Sequence, residues 1–285
     1  MAMNDTVLRF NKYLMLWGTM LLSFVACYYP TLLWLNEKFS APESNYSHGY
    51  IIPLITAYMI YEERGVLTTI SISSNLLGLY LVIAALLVHI FGTIGNIHFI
   101  SGFSMILYLA GCSLFLFGSE FTKTITYPLL YLIFMCPVPD AFIDICALPM
   151  KSFSTSLAMH LMDILGFPYL REGFRIILPN ATFVVETTCN GMRSLISFLA
   201  LGFLILNFIN GRLWKKLLFL AINLPLAISL NAVRITILLL ITIFYGQKMA
   251  APESILHDGS GLLVFIIGFI FLVVLSRKIN EERAI

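Results

Sequence analysis

Leu76–Ile94 reads LLGLYLVIAALLVHIFGTI, an unbroken apolar run with no Asp, Glu, Lys or Arg. At 1.5 Å per residue a helix of this length reaches about 28 Å, close to the hydrocarbon thickness of a bilayer. Similar runs occupy residues 13–35, 99–117, 192–209, 217–244 and 259–275. Two shorter ones, 50–61 and 124–138, each contain a proline, Pro53 and Pro128. Counting both gives eight spans. Composition agrees: 59% of the 285 residues are hydrophobic and 11% are charged, against roughly a quarter charged in a soluble domain. So few charges cannot cover a water-exposed surface. The expected fold is an all-α polytopic membrane protein, residues 1–285 forming a single integral membrane domain. The first run is too long for a signal-peptide core and reads as an uncleaved span.

Basic residues set the expected orientation. With the N-terminus inside, the inner face receives Arg9, Lys12, Arg64, Lys123, the cluster Arg212, Lys215 and Lys216, and the tail Arg277, Lys278 and Arg283. This is the positive-inside pattern, and an even number of spans returns the C-terminus to the same side. Segment 139–191 is then the one sizeable outer region. Its first part, Asp140 to Leu165, mixes apolar residues with Asp144, Lys151, His160 and Asp163 and reads as an interfacial amphipathic helix. Its second part, Phe174 to Val185, is β-leaning around Pro179-Asn180, which predicts a small hairpin on the outer side. A net charge of +2 gives no reason to expect nucleic acid as a partner; the bilayer is the expected surroundings.

Topology brings three chemically distinct residues to one leaflet. Cys189 precedes the sixth span. Arg234 lies about 17 residues into the seventh from its inner end, roughly 26 Å along a helix. His257 precedes the eighth. Each has an ordinary alternative: a cysteine filling apolar space, an arginine reaching the headgroups, a histidine at a span entrance. Cys189 differs from Cys27, Cys112, Cys136 and Cys146 in its polar neighbours and in its place at a helix N-terminus, where free amides and the helix dipole favour a thiolate. Asn190 or Thr188 is positioned to cap that helix, and Gly191 permits close backbone approach. Arg234 costs at least about 2.5–3.5 kcal/mol inside a span, so it is a functional candidate by default. Asn231, one turn earlier, is placed to hold it. His257 gains weight from the convergence. The cysteines form no CxxC pair, the histidines form no HExxH pair, and there is no Walker or Rossmann glycine pattern, so neither metal nor cofactor is expected. His257-Asp258-Gly-Ser260 holds three triad residue types within one turn, poor geometry for a relay.

The order Val-Glu-Thr-Thr-Cys189-Asn-Gly-Met-Arg-Ser-Leu, then Asn231-Ala-Val-Arg234-Ile, then His257-Asp-Gly-Ser-Gly-Leu-Leu-Val-Phe resembles the exosortase/archaeosortase family. These are multi-pass membrane cysteine transpeptidases or proteases. Ser47-His48-Gly49 and Arg171-Glu-Gly173 extend the resemblance over about three-quarters of the chain, with His48 as a further candidate. The family's common Cys-Ser-Gly is Cys189-Asn190-Gly191 here, which keeps the nucleophile and removes the serine hydroxyl. The resemblance implies Cys189 as the acyl-thioester nucleophile, with Arg234 and His257 completing a triad. It implies membrane-anchored substrates with a C-terminal sorting signal: a short motif, one span and a basic tail. The thioester would pass to water, an amine or a lipid acceptor. The competing readings are a multi-pass transporter, which should place charges near the midplane and show internal repeats, and a different intramembrane hydrolase, which should carry its own motif.

Overall fold

The computed structural model describes residues 2–41, 44–185, 191–209, 212–252 and 254–281. Of the described residues, 80% are helical. The helices are α1 (Ala2–Ser40), α2 (Ile51–Glu62), α3 (Arg64–Leu67), α4 (Leu76–Ile94), α5 (His98–Leu116), α6 (Ser119–Tyr131), α7 (Asp140–Leu165), α8 (Met192–Leu206), α9 (Leu213–Ala221), α10 (Asn223–Tyr245) and α11 (Ile255–Glu281). Between α7 and α8 lie three short strands, β1 (Leu170–Glu172), β2 (Arg175–Leu178) and β3 (Ala181–Val184). Single 3-10 turns occupy Ser47–Tyr50, Leu132–Met135 and Gln247–Ala250.

Among the described residues, five helical segments are long and apolar enough to cross a membrane: Met15–Ser40, α4, α5, Leu213–Tyr245 and Ile255–Asn280. A sixth is reached only by counting Ser119–Met135 and α7 as one broken span. The other runs read as spans form shorter helices. Residues 50–61 become the twelve-residue α2, and 192–209 become the fifteen-residue α8. Residues 217–244 are divided at Ile222 between α9 and α10.

The chain forms two compact units, Met1–Val138 and Pro139–Ile285. In the first, α4 starts at Asn75, whose side chain accepts a bond from the Leu77 amide at 2.9 Å. It packs on α5 through glycines: a Cβ on Gly111 would lie 2.9 Å from the Val82 nitrogen, so only glycine lets the two backbones approach this closely. A buried polar cluster joins α1, α4 and α5. Tyr28 bonds Ser104 at 3.1 Å, and His89 Nδ1 bonds Ser101 at 2.7 Å. The outward side chains of α4, including Leu76, Tyr80, Leu87 and Phe91, are large, apolar and exposed, as a lipid-facing surface requires.

The second unit is built around α10. Ala158, Met159 and Met162 of α7 pack with Ala232, Ile235, Leu238 and Leu239 of α10, and Ile176, Leu178, Phe183 and Val185 cover them from the sheet. The expected helix at Asp140 to Leu165 is present with those bounds. It is apolar on two faces, for Phe142, Ile145, Leu148 and Phe153 stay exposed while the opposite stripe is buried. The sheet is an antiparallel meander in the order β1-β2-β3. Leu178 pairs with Ala181 across Pro179-Asn180, and Glu172 pairs with Arg175 across a turn in which Gly173 takes φ +63°. Strand β1 was not anticipated from the sequence.

Candidate active site

Cys189 and Asn190 lie outside the described residues, as does Thr188. The structure takes up the segment at Gly191, at the N-terminus of α8. Its φ of +82° belongs to the left-handed region that glycine tolerates. A Cβ there would stand 3.2 Å from the Asn231 side chain. Asn231 is buried on α10. Gly191 therefore stands against the α10 face that carries Arg234.

Arg234 lies one turn beyond Asn231 and about three turns before the end of α10. Its NH2 nitrogen is 3.4 Å from His257 Nε2. Space for the guanidinium comes from Gly261, where a Cβ would lie 3.3 Å from Arg234 Cζ. Gly261 and His257 are four residues apart, hence on one face of α11. Arg234 Nε is buried, and no described residue bonds it. Asn231, one turn earlier on α10, stands against Gly191. Among the described residues, no carboxylate forms an ion pair with Arg234.

His257 is buried in the first turn of α11. The helix begins four residues earlier than the expected span, at Ile255 rather than Gly259. Ser254 caps it, accepting the His257 amide at 3.1 Å, and Ser260 Oγ donates to the His257 carbonyl at 2.7 Å. Arginine only donates, so its contact requires the lone pair on His257 Nε2 and the proton on Nδ1. Nδ1 faces Asp258 Oδ1 at 3.5 Å. Among the described residues Asp258 is thus a carboxylate beside the imidazole, although its sequence position next to His257 argued against any relay. Ser254 and Gly261 also escaped sequence reading; a serine just before an apolar run is a capping signal that would have found the first.

The 3-10 turn Gln247–Ala250 brings the chain back against α10 and β3. There a cavity of about 160 Å³ opens between Phe183, Val184, Gln247, Ala250, Ala251 and His257. His48 belongs to the other unit. Its ring stacks on Tyr46 and bonds the Phe134 backbone, and burial holds its pKa below the ordinary imidazole value against the opposing effect of that bond. Among the described residues no group of three or more metal-ligating side chains converges.

Exposed apolar helices mark a multi-pass membrane protein, and a half-buried arginine–histidine pair lies within its second unit. The family model described as transmembrane exosortase matches residues 34–274, and the chain belongs to that family. Comparison with curated proteins and with solved structures gave no match. Exosortases are a cysteine-type transpeptidase family acting on membrane-anchored proteins with C-terminal sorting signals.

Proposed function

We propose that this exosortase-family chain is a membrane-embedded cysteine transpeptidase or peptidase that cleaves C-terminal sorting signals through an acyl-thioester on Cys189. The observation that carries the reading is the half-buried Arg234–His257 pair, with Gly191, two residues from Cys189, pressed against Asn231 one turn away. In this reading the thiol gives its proton to His257, whose basic nitrogen is Nε2, and the thiolate attacks the scissile carbonyl carbon. Arg234 stabilises the developing oxyanion through its unbonded Nε–H. The carbon–nitrogen bond breaks, and the imidazolium returns the proton to the departing amine. The thioester passes the cleaved protein to water or to an acceptor amine or lipid. Eight crossings, three of them short, with both termini inside, put this site and the β-hairpin at the outer face. Short helices cross where the bilayer thins around them.

The test is substrate processing in cells that co-express an exported protein ending in a short motif, one span and a basic tail. Cys189→Ala and Cys189→Ser should both leave uncleaved substrate in the membrane, whereas replacing the other four cysteines together should preserve cleavage. The serine variant keeps size and polarity, so normal processing by it would end the thiol mechanism. A membrane-impermeant label should reach a cysteine placed at Asn180 in intact cells and miss one placed at Lys215. The reverse pattern would put the site in the cytoplasm.

A further inference from the structure

Strand β3 has one free edge. The Val185 amide donates to Phe174 across the β2–β3 ladder at 2.9 Å. In an antiparallel pair hydrogen-bonded positions alternate, so Phe183 and Ala181 also turn their peptide groups toward β2. Thr182 and Val184 turn theirs away from it. No described residue bonds those outward groups, and β3 is the last strand of the sheet. Natural edge strands are usually guarded by a charge, a proline or a bulge. Ala181-Thr182-Phe183-Val184 has none of these.

The open edge ends at the site. Val184, with its side chain about half exposed, lines the same cavity as His257, with the Gln247 carboxamide on another wall. The cavity volume of about 160 Å³ suits one amino-acid residue rather than a whole ligand. Bare peptide groups at strand spacing and a pocket of one-residue size are the complement of an extended peptide. A lipid tail would leave the Thr182 and Val184 peptide groups and the Gln247 side chain without partners.

We propose that β3 is the substrate-binding strand: an extended segment of the substrate pairs antiparallel or parallel with Thr182 and Val184 and seats one side chain in the cavity beside His257. The proposal rests on the cysteine-peptidase reading and adds to it how the peptide is held. It also explains why the sheet stands immediately before the nucleophile in the chain.

The experiment measures alkylation of Cys189 in the purified full chain, with the other cysteines replaced. A mixed-sequence tetrapeptidyl chloromethyl ketone is compared with the same reagent N-methylated at each residue amide, and with iodoacetamide. The ketone forms a sulfur–carbon bond and expels chloride; N-methylation removes strand pairing and leaves this chemistry unchanged. The unmethylated reagent should react about tenfold faster than its methylated form, as one or two net hydrogen bonds imply. Val184→Pro removes the outward N–H while leaving every bond to β2 in place, and should erase that preference. Ala251→Phe, which fills the cavity and leaves the outward N–H groups of the strand in place, should reduce it independently of any effect of proline on folding. Equal rates for the two peptidyl reagents in the unaltered chain, or a preference that survives both substitutions, overturns the strand proposal. Failure of iodoacetamide as well as both ketones to modify Cys189 overturns the cysteine reading itself, and this proposal with it.

Discussion

Two histidines are buried among apolar helices in this protein, and their surroundings differ. His89, in α4, has each of its polar needs met by neutral neighbours: Ser101 Oγ at Nδ1, a bond to the Cys27 backbone, and the Tyr28 ring packed at 4.3 Å. His257 faces a guanidinium on one nitrogen and a carboxylate on the other, and it lines a cavity. Burial and hydrogen bonding are common to both. A charge without a counter-charge among the described residues, next to open space, distinguishes the second. The first arrangement glues helices together; the second leaves the Arg234 Nε–H without a described partner.

The comparison breaks most sharply at Arg234. Arg234→Lys keeps the charge and loses the fork and the Nε–H, so processing should fall by about 10²-fold or more while the protein still accumulates. His89→Gln preserves polar contact in the other cluster and should change processing by less than about threefold. Quantifying cleaved substrate per inserted protein separates the two. Normal cleavage by the lysine variant would reduce Arg234 to a headgroup anchor.

Glycines sharpen the same contrast with a smaller effect. Gly111→Ala pushes against the Val82 backbone, so α4 and α5 must part, and the thermal midpoint in detergent should drop with activity per folded molecule unchanged. Gly191→Ala adds a Cβ beside Asn231 to a backbone in the left-handed region, a strain of about 1–2 kcal/mol. Because that strain sits two residues from Cys189, processing should fall about tenfold. A Gly191→Ala enzyme of full activity would show that the Cys189 segment does not depend on this contact.

What could be read from the sequence follows how local its cause is. The bounds of α4 coincide with the apolar run, because Asn75 caps it and nothing interrupts it. The hairpin was legible in Pro179-Asn180 because a two-residue turn needs only its own residues. Strand β1 was not, since three residues acquire meaning only from β2. The break at Ile222 was legible and missed: Pro225 has no N–H to give the Ala221 carbonyl, and buried Asn223 bonds the Phe219 and Leu220 carbonyls at the end of α9. The meeting of Arg234 with His257, 3.4 Å apart, was an expectation of the sequence reading. The cavity was not, because it depends on the fold-back of Gln247–Ala250, and Cys189 and Asn190 lie outside the described residues.

His48 supplies a third case and the smallest expected effect. It lies in the 3-10 turn Ser47–Tyr50, outside the long apolar helices. Burial disfavours its charged form, and the bond to the Phe134 backbone only partly offsets this, so its folded-state pKa lies below that of the unfolded chain. The sign follows. Above about pH 6.5 both states are neutral at this ring, and stability is independent of pH there. As pH falls below that value the unfolded chain takes up the proton first, and stability declines until the folded ring also protonates. Thermal midpoints measured in detergent between pH 8 and pH 5 should therefore bend downward on the acid side by a few degrees. His48→Gln, which retains a donor for Phe134 and cannot titrate, should flatten that part of the curve. An unchanged acid limb in the glutamine variant would remove His48 as its origin. If the variant also lost processing at neutral pH with its midpoint intact, His48 would join His257 as a functional residue, and burial among neutral partners would no longer separate the two kinds of histidine.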